Sequence, residues 1–166
     1  PLSRLSETVA ATSASHLVTL ATRGTIVERP ATIEAVCHLT LGISDISVPM
    51  ADHVLPADAH VQALLDFVSG WERERPLVIH CYAGISRSTA ALYTAVCALC
   101  PDRDEGEIAR ELRRLSPAAT PNRLMVEIAD RLLGREGRMI AAIAGIGRGA
   151  DAYEGVPFSL PLALTS

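Results

Sequence analysis

The residues best suited to chemistry lie in one short stretch, residues 80–88, which reads HCYAGISRS. It places Cys81 six positions before Arg87, with a glycine between them. A thiolate is a strong nucleophile once its charge is stabilised, and the planar guanidinium of arginine can bind two oxygens of a phosphate. The stretch therefore indicates nucleophilic attack on a bound phosphate. The alternative is a buried thiol in a small-residue turn with an arginine nearby by chance.

The elements around this stretch favour the phosphate interpretation. Residues 77–80, LVIH, form a short apolar run typical of a strand buried on both faces, and the residues from Ser88 to about Cys100 predict an apolar helix. The free N–H groups and positive dipole end of such a helix attract an anion to the preceding loop. Gly84 allows the backbone to turn its amides inward. We expect a phosphate cradle with Cys81 at its base.

The remaining pattern predicts the elements that position this loop. It indicates strands over 16–22 and 37–44, and a helix over 58–71 with Asp58 as its N-cap. Further helices are expected over 104–117, 120–134 and 137–149, the second of these with Thr120 as N-cap and Pro121 at its first position. The predicted fold is α/β, with a central, mostly parallel sheet flanked by helices and a helix-rich C-terminal half. Residues 1–166 are expected to form one domain, with 134–166 as a C-terminal helix and an extended tail packed on it.

Composition narrows the classes of partner and cofactor. The formal net charge is −4, so no electrostatic attraction to nucleic acid or anionic lipid is expected. No apolar run reaches the roughly 18 residues of a membrane span, and the predicted location is cytoplasmic. All fifteen basic residues are arginine, which excludes a lysine Schiff base and a lysine-based phosphate site. Cys97 and Cys100 lie in an apolar helical segment and are interpreted as core packing, so neither a metal nor another cofactor is predicted.

The stretch HCYAGISRS resembles the H-C-x5-R-S/T signature of the Cys-based protein tyrosine phosphatase superfamily, and its ending is most similar to the dual-specificity and small bacterial tyrosine phosphatases. The resemblance implies a dual-specificity-phosphatase-like fold in which Cys81 is the nucleophile and Arg87 binds the substrate and the transition state. It also implies that His80 orients the loop and helps to keep Cys81 ionised, and that Ser88 donates a hydrogen bond to the departing thiolate. The backbone amides implied to cradle the phosphate are those of Tyr82, Ala83, Gly84, Ile85, Ser86 and Arg87.

A phosphatase of this kind also needs a proton donor for the leaving oxygen. In the resembled family this is an aspartate on a loop about thirty residues before the cysteine and ahead of a helix. Asp52 lies twenty-nine residues before Cys81 and is the predicted acid. Asp45 lies too near the end of the second predicted strand for this role, Asp58 is interpreted as a helix cap, and Asp66 as part of a solvated helix face.

The predicted function is hydrolysis of phosphotyrosine in proteins through a cysteinyl-phosphate intermediate, with phosphoserine and phosphothreonine left open as further substrates. The expected partners are a phosphorylated protein or peptide, and phosphate or another oxyanion in the loop. The alternative is a phosphopeptide-binding module without turnover, and arsenate reduction uses a similar C-x5-R pair. The "PN" at 121–122 also resembles the family; we interpret Thr120 and Asn122 as structural, and the alternative is that Asn122 or its neighbours border the rim of the site.

Overall fold

A small parallel sheet forms the centre of the molecule. The structure is a computed structural model and describes residues 1–162, so the end of the predicted tail, 163–166, lies outside the described residues. The strands are β1 (His16–Ala21), β2 (His38–Gly42) and β3 (Leu77–His80), in the order β2-β1-β3 and all parallel. The three predicted strands and the α/β class are therefore confirmed.

Helices cover this sheet and make up most of the C-terminal half of the chain. They are α1 (Leu5–Thr12), α2 (Asp58–Ser69), α3 (Arg87–Leu99), α4 (Glu105–Leu115), α5 (Arg123–Leu132) and α6 (Arg138–Ile146), with a short 3-10 helix at Ala35–Cys37 between β1 and β2. The helix-rich second half agrees with the prediction. Helix α1 was not predicted, because only Leu5 and Val9 of its residues are buried and the apolar pattern is correspondingly weak.

The central strand β1 separates two hydrophobic cores. Successive side chains of a strand point to opposite faces. Val18 and Leu20 accordingly enter the large core with the helices of the C-terminal half, whereas Leu17 enters a small core with Leu5 and Val9 of α1. Helix α3 is the centre of the large core and is buried on nearly all sides, as expected of a helix that is apolar all round. β3, in contrast, lies at an edge of the sheet and only its last residue, His80, is buried, so the prediction of a strand buried on both faces was wrong; the loop leads from this strand into the buried helix α3.

Two predicted helix starts differ from the structure. Ala57, not Asp58, is the N-cap of α2; Asp58 is the first helical residue and pairs with Arg131 at 2.7 Å. In α5 the cap is Asn122, whose side chain accepts a hydrogen bond from the Met125 N–H at 3.1 Å. The predicted cap, Thr120, instead uses its hydroxyl to donate to Ala118 O and to accept from the Gly149 N–H, and the helix begins two residues later than predicted, at Arg123 rather than Pro121.

The chain beyond α6 returns across the domain in extended form. The N–H of Ala150 donates to Pro117 O at 2.9 Å, and Arg103 Nη1 donates to Pro161 O at 3.0 Å. The buried residue of this stretch is Gly155, whose neighbours Glu154 and Val156 are exposed. The described part of the tail is therefore anchored to the domain on both sides of Gly155.

Candidate active site

Residues 81–87, called the signature loop below, connect the end of β3 to the start of α3. Arg87 is the first residue of α3, so the free N–H groups of that helix face the loop. Gly84 has φ of +71°, a conformation that favours glycine. The strand, turn and helix predicted around Cys81 are all present.

The carbonyl groups of the signature loop are held from outside. Four backbone N–H groups from other parts of the chain donate to four of its carbonyl oxygens: Leu2 to Tyr82 at 2.9 Å, Gly155 to Ala83 at 2.8 Å, Thr120 to Ile85 at 2.9 Å and Asn122 to Ser86 at 3.3 Å. In a trans peptide the C=O and the following N–H point in opposite directions. Fixing the carbonyls outward therefore turns the loop's N–H groups inward, which is the arrangement of an anion-binding nest.

Cys81 lies at the base of this nest. Its side chain is buried, and Sγ is 3.3 Å from the N–H of Gly84, which donates to it, and 3.2 Å from Ser88 Oγ. Both neighbours can donate a hydrogen bond to a thiolate. The two contacts agree with the positions predicted for the nucleophile and for Ser88, whose roles stay predictions.

The guanidinium of Arg87 is anchored on one side only. Arg87 is 7% exposed, and its Nη1 donates to Ile43 O at 2.9 Å. Its Nε is buried and has no hydrogen-bond partner among residues 1–162. A buried guanidinium N–H is costly without an acceptor. An anion's oxygen in the loop is the kind of acceptor that this donor requires.

His80 supports the loop as a neutral ring. It is 4% exposed, and burial lowers its pKa to about 4. Its Nε2 is 2.8 Å from Thr19 Oγ1, and that hydroxyl is also 2.8 Å from His38 Nε2. These bonds agree with an orienting role. A neutral ring adds no positive charge beside Cys81, and both roles expected of His80 stay predictions.

Asp52, the predicted acid, lies on an exposed segment. The N–H of Ser44 donates to Val54 O at 2.8 Å and closes this segment at its base, while residues 47–53 are exposed. Asp52 itself has φ of +62°, and its side chain makes no hydrogen bond within residues 1–162. No hydrogen bond links it to the signature loop, and its role stays a prediction.

Asp45, which the sequence interpretation set aside, contacts the signature loop directly. Its Oδ1 accepts hydrogen bonds from Ser86 Oγ at 2.7 Å and from Asn122 Nδ2 at 2.9 Å. Asp45 thus reaches the loop although it follows the last residue of β2, Gly42, by only three positions, and the choice of Asp52 as the acid stays a prediction. Parallel strands end at the same edge of a sheet, so residues that follow β2 and β3 meet there. That topological rule was the signal available in the sequence.

A recess of about 330 Å³ opens beside Cys81. Its lining includes three residues of the signature loop and residues after or within β1: Cys81, Tyr82, Arg87, Leu20, Thr25 and Val27. Tyr82 is 64% exposed at its edge. Within the described residues, no three His, Cys, Asp or Glu side chains are grouped so as to hold a metal ion. No helix in that part of the chain has the length and apolarity to cross a bilayer.

Comparison with known proteins places this geometry in a known fold. No protein-family model matches the chain, and no curated protein does. Among solved structures it is similar to the Cydia pomonella PTP-2 phosphatase, with a TM-score of 0.61, 17% identity and 78% of each chain covered. It is also similar to DUSP15, with a TM-score of 0.57, 14% identity and coverage of 84% of this chain and 81% of that one.

A third similar structure is a mouse putative dual specificity phosphatase complexed with zinc tungstate. Its TM-score is 0.58 at 15% identity, with 83% of this chain and 80% of that chain covered. At these identities the likeness concerns the fold. The chain therefore has the fold of the protein tyrosine and dual-specificity phosphatases of the Cys-based superfamily.

Proposed function

We propose that this protein is a phosphoric monoester hydrolase that removes phosphate from phosphotyrosine in proteins or peptides. The observation that carries the proposal is the position of Cys81 Sγ, 3.3 Å from the Gly84 N–H at the base of a loop whose carbonyls are held outward. The buried Arg87 guanidinium adds a fixed positive charge to the same loop. Together they suit a phosphate dianion facing a sulfur nucleophile.

In the first step the Cys81 thiolate attacks phosphorus while the bond to the leaving oxygen breaks. Arg87 and the inward amides of residues 82–87 hold the three equatorial oxygens, where charge is concentrated in the transition state. An aspartic acid donates a proton to the leaving oxygen. The products are the dephosphorylated hydroxyl group and a cysteinyl-phosphate.

In the second step water attacks the cysteinyl-phosphate. The same aspartate, now ionised, accepts a proton from the water as the S–P bond breaks. Ser88, whose Oγ is 3.2 Å from Sγ, donates a hydrogen bond to the departing thiolate. Inorganic phosphate then leaves the loop. Since Arg87 and the amides provide the charge stabilisation in this scheme, activity is expected to persist in EDTA.

Two aspartates are candidates for the proton donor. Asp52 is proposed because it matches the expected separation from Cys81 and its carboxylate is exposed on the segment that precedes α2. Asp45 is the second candidate because it touches the loop through Ser86. Only Oδ1 of Asp45 is occupied by hydrogen bonds among the described residues, which leaves Oδ2 for a leaving oxygen.

A phosphate-binding module without turnover is the competing proposal. It would use the same Arg87 and the same amides, so the loop geometry fits both functions. The two differ only in whether an aspartate reaches the leaving oxygen and whether Cys81 attacks. Hydrolysis therefore has to be measured together with binding.

The test is steady-state hydrolysis of para-nitrophenyl phosphate and of phosphotyrosine, phosphoserine and phosphothreonine peptides, with EDTA present. Wild type is compared with the Cys81→Ser, Asp52→Asn and Asp45→Asn variants, and with Asp66→Asn as a control on the exposed face of α2. We expect no turnover by Cys81→Ser and a loss of about 10² in kcat for Asp52→Asn on the tyrosine peptide.

Each other result has a definite meaning. If Asp45→Asn is slowed by about 10² and Asp52→Asn is not, Asp45 is the donor. If wild type binds the peptides but hydrolyses none of these substrates, the protein is a phosphate reader and the hydrolase proposal fails. The ratio of the three peptides sets the specificity.

A further inference from the structure

Two segments from opposite ends of the described chain meet on the outer side of the signature loop. The N–H of Leu2 donates to Tyr82 O at 2.9 Å, and the N–H of Gly155 donates to Ala83 O at 2.8 Å. The segments are also joined to each other, because Ser3 Oγ donates to Glu154 Oε2 at 2.8 Å. We call residues 1–3 and 154–155 the terminal clamp.

The clamp lies against the loop without room for extra atoms. A Cβ at Gly155 would lie 2.7 Å from Gly84 O, and a Cβ at Gly84 would lie 2.7 Å from the backbone nitrogen of Pro1. Gly155 is buried between exposed neighbours. Its burial therefore comes from this backbone contact rather than from packing of an apolar side chain.

One peptide unit connects the clamp to the nucleophile. The carbonyl of Ala83 accepts from Gly155, and the N–H of the same peptide, on Gly84, donates to Cys81 Sγ at 3.3 Å. Because a trans peptide is planar, holding its C=O outward directs its N–H inward. The peptide between Tyr82 and Ala83 is held in the same way by Leu2.

We propose that the terminal clamp is a positioning device for the phosphate site, with Gly155 and Leu2 as its positioning residues. It keeps the amides of Ala83 and Gly84 aimed at the sulfur and at a bound oxyanion. The clamp's effect on turnover rests on the proposed function. Its effect on loop order and oxyanion binding does not, and this allows the two proposals to be tested separately.

Hydrogen bonds on both sides of Gly155 hold its segment in place, which supports a positioning role. Ala150 is bonded to Pro117 before Gly155, and Pro161 is bonded to Arg103 after it. The segment that carries Gly155 is therefore tethered to the helical half on both sides. A displacement at Gly155 would be transmitted to the loop rather than absorbed by a free end.

The experiment compares full-length wild type with Gly155→Ala and with Gly145→Ala as a matched control. The control makes the same chemical change in α6, where an added Cβ meets nothing within 4 Å. Three properties are measured: the affinity for orthovanadate by isothermal titration calorimetry, kcat and KM for para-nitrophenyl phosphate, and hydrogen exchange of the loop amides. Exchange at helix α3 and the circular dichroism spectrum report on global folding.

We expect Gly155→Ala to weaken vanadate binding by about tenfold or more and to speed exchange of the Ala83 and Gly84 amides by a similar factor, with exchange at α3 unchanged. Gly145→Ala should match wild type in all three properties. A Ser3→Ala variant, which removes only the bond to Glu154, should change them in the same direction by about twofold. Ser3→Ala also provides the test of the clamp if Gly155→Ala does not fold.

Wild-type exchange and wild-type vanadate affinity in the folded clamp variants would overturn the clamp proposal, whatever the activity. If wild type is inert but Gly155→Ala still speeds loop exchange, the clamp stands and the hydrolase proposal fails. If loop and α3 exchange rise equally in both clamp variants, Gly155 and Ser3 serve overall stability and the positioning role is wrong.

Discussion

The signature loop and the exposed segment 47–53 both follow parallel strands and meet the same edge of the sheet, yet they are held very differently. The loop has four of its carbonyls fixed by backbone N–H groups and leads into the buried helix α3. The exposed segment is closed at its base, where Ser44 pairs with Val54 and the Ser44 hydroxyl lies 3.2 Å from His53 Nδ1. The comparison separates a fixed anion site from a segment that has few bonds to the rest of the chain.

This difference has a chemical meaning in the proposed reaction. Charge stabilisation is strongest when the donors are already in place before the reaction begins. A proton donor, in contrast, must admit the substrate and the product past it, so fewer constraints suit it. Asp45 is bonded to the signature loop, which we call the fixed side of the site, and Asp52 lies on segment 47–53, which we call the loosely held side. The following predictions test which residues belong to each side.

The largest effect is expected from Arg87→Lys, on the fixed side. Lysine keeps the charge, but its compact ammonium group lacks the planar fork that allows a guanidinium to bond Ile43 O on one side and two oxygens of an oxyanion on the other. We expect kcat/KM for para-nitrophenyl phosphate to fall by about 10³. Arg123→Lys, at an exposed site on α5, is the control and should keep wild-type activity. A loss of less than tenfold for Arg87→Lys would mean that Arg87 does not contact the phosphate.

The second prediction compares two cysteines of equal burial. Cys97 lies within α3, and burial raises its pKa to about 12, so it stays a thiol near pH 7. Cys81 has the Gly84 N–H and the Ser88 hydroxyl beside its sulfur. We expect iodoacetamide at pH 7 to alkylate Cys81 about 10² faster than Cys97, measured by mass spectrometry of the two peptides.

Orthovanadate should protect Cys81 from this alkylation and leave Cys97 unchanged. The Cys81→Ser variant identifies any reaction at the other cysteines. Equal rates for the two sites would show that the donors beside Cys81 do not stabilise a thiolate.

Much of the fixed side could be predicted from the sequence, because the residues that determine its strand, turn and helix are close together along the chain. The apolar run before Cys81, Gly84 and the apolar helix after Ser88 indicate a strand, a turn and a helix within about twenty residues. The spacing of Cys81 and Arg87 lies inside that same unit. Local periodicity and glycine placement are sufficient for such a unit.

The supports of the loop could not be predicted in the same way. Leu2, Gly155 and Asn122 reach the loop through backbone bonds that carry no side-chain pattern. The contact of Asp45 with Ser86 depends on the topology of the sheet, which brings the residues after β2 and β3 to one edge, and not on spacing along the chain. Asp52 matched a spacing rule, but loop spacing alone does not say which of two carboxylates faces the substrate.

The third prediction concerns how the burial of His80 lowers the free energy of unfolding at acidic pH. Its pKa is lowered to about 4 in the folded protein from the ordinary value of 6.5, so the unfolded chain binds a proton that the folded protein does not. Stability is therefore retained above pH 6.5 and lost as the pH falls toward 4. At pH 5 the loss from this one group is about 2 kcal/mol.

The measurement is urea unfolding of wild type and His80→Gln from pH 7 to pH 4.5. The variant should show a flatter pH dependence, because it removes the titrating ring. Gln62→Asn, at an exposed position of α2, is the control for substitution itself and should keep the wild-type slope. His38, whose pKa is also lowered by burial, contributes a smaller change of the same sign. An unchanged slope in His80→Gln would show that the ring does not stay neutral in the folded protein.

The smallest effect is expected at Asn122, which joins the two sides. Its Oδ1 caps α5 through the Met125 N–H, whereas its Nδ2 donates to Asp45 and to Ile46 O at 3.2 Å. Serine can cap a helix but cannot reach both acceptors. Asn122→Ser should therefore keep nearly all of the stability and lose about fivefold in kcat/KM.

The Asn122→Ala variant separates the two bonds further. It should lose a similar factor in activity and, in addition, about 1 kcal/mol of unfolding free energy from the missing cap. If Asn122→Ser keeps full activity while Asn122→Ala loses only stability, the bond to Asp45 has no part in turnover. The fixed side would then include Ser86 but not Asp45, and the proton donor would be a residue of segment 47–53. If both variants slow turnover alike, Asp45 belongs to the reacting geometry.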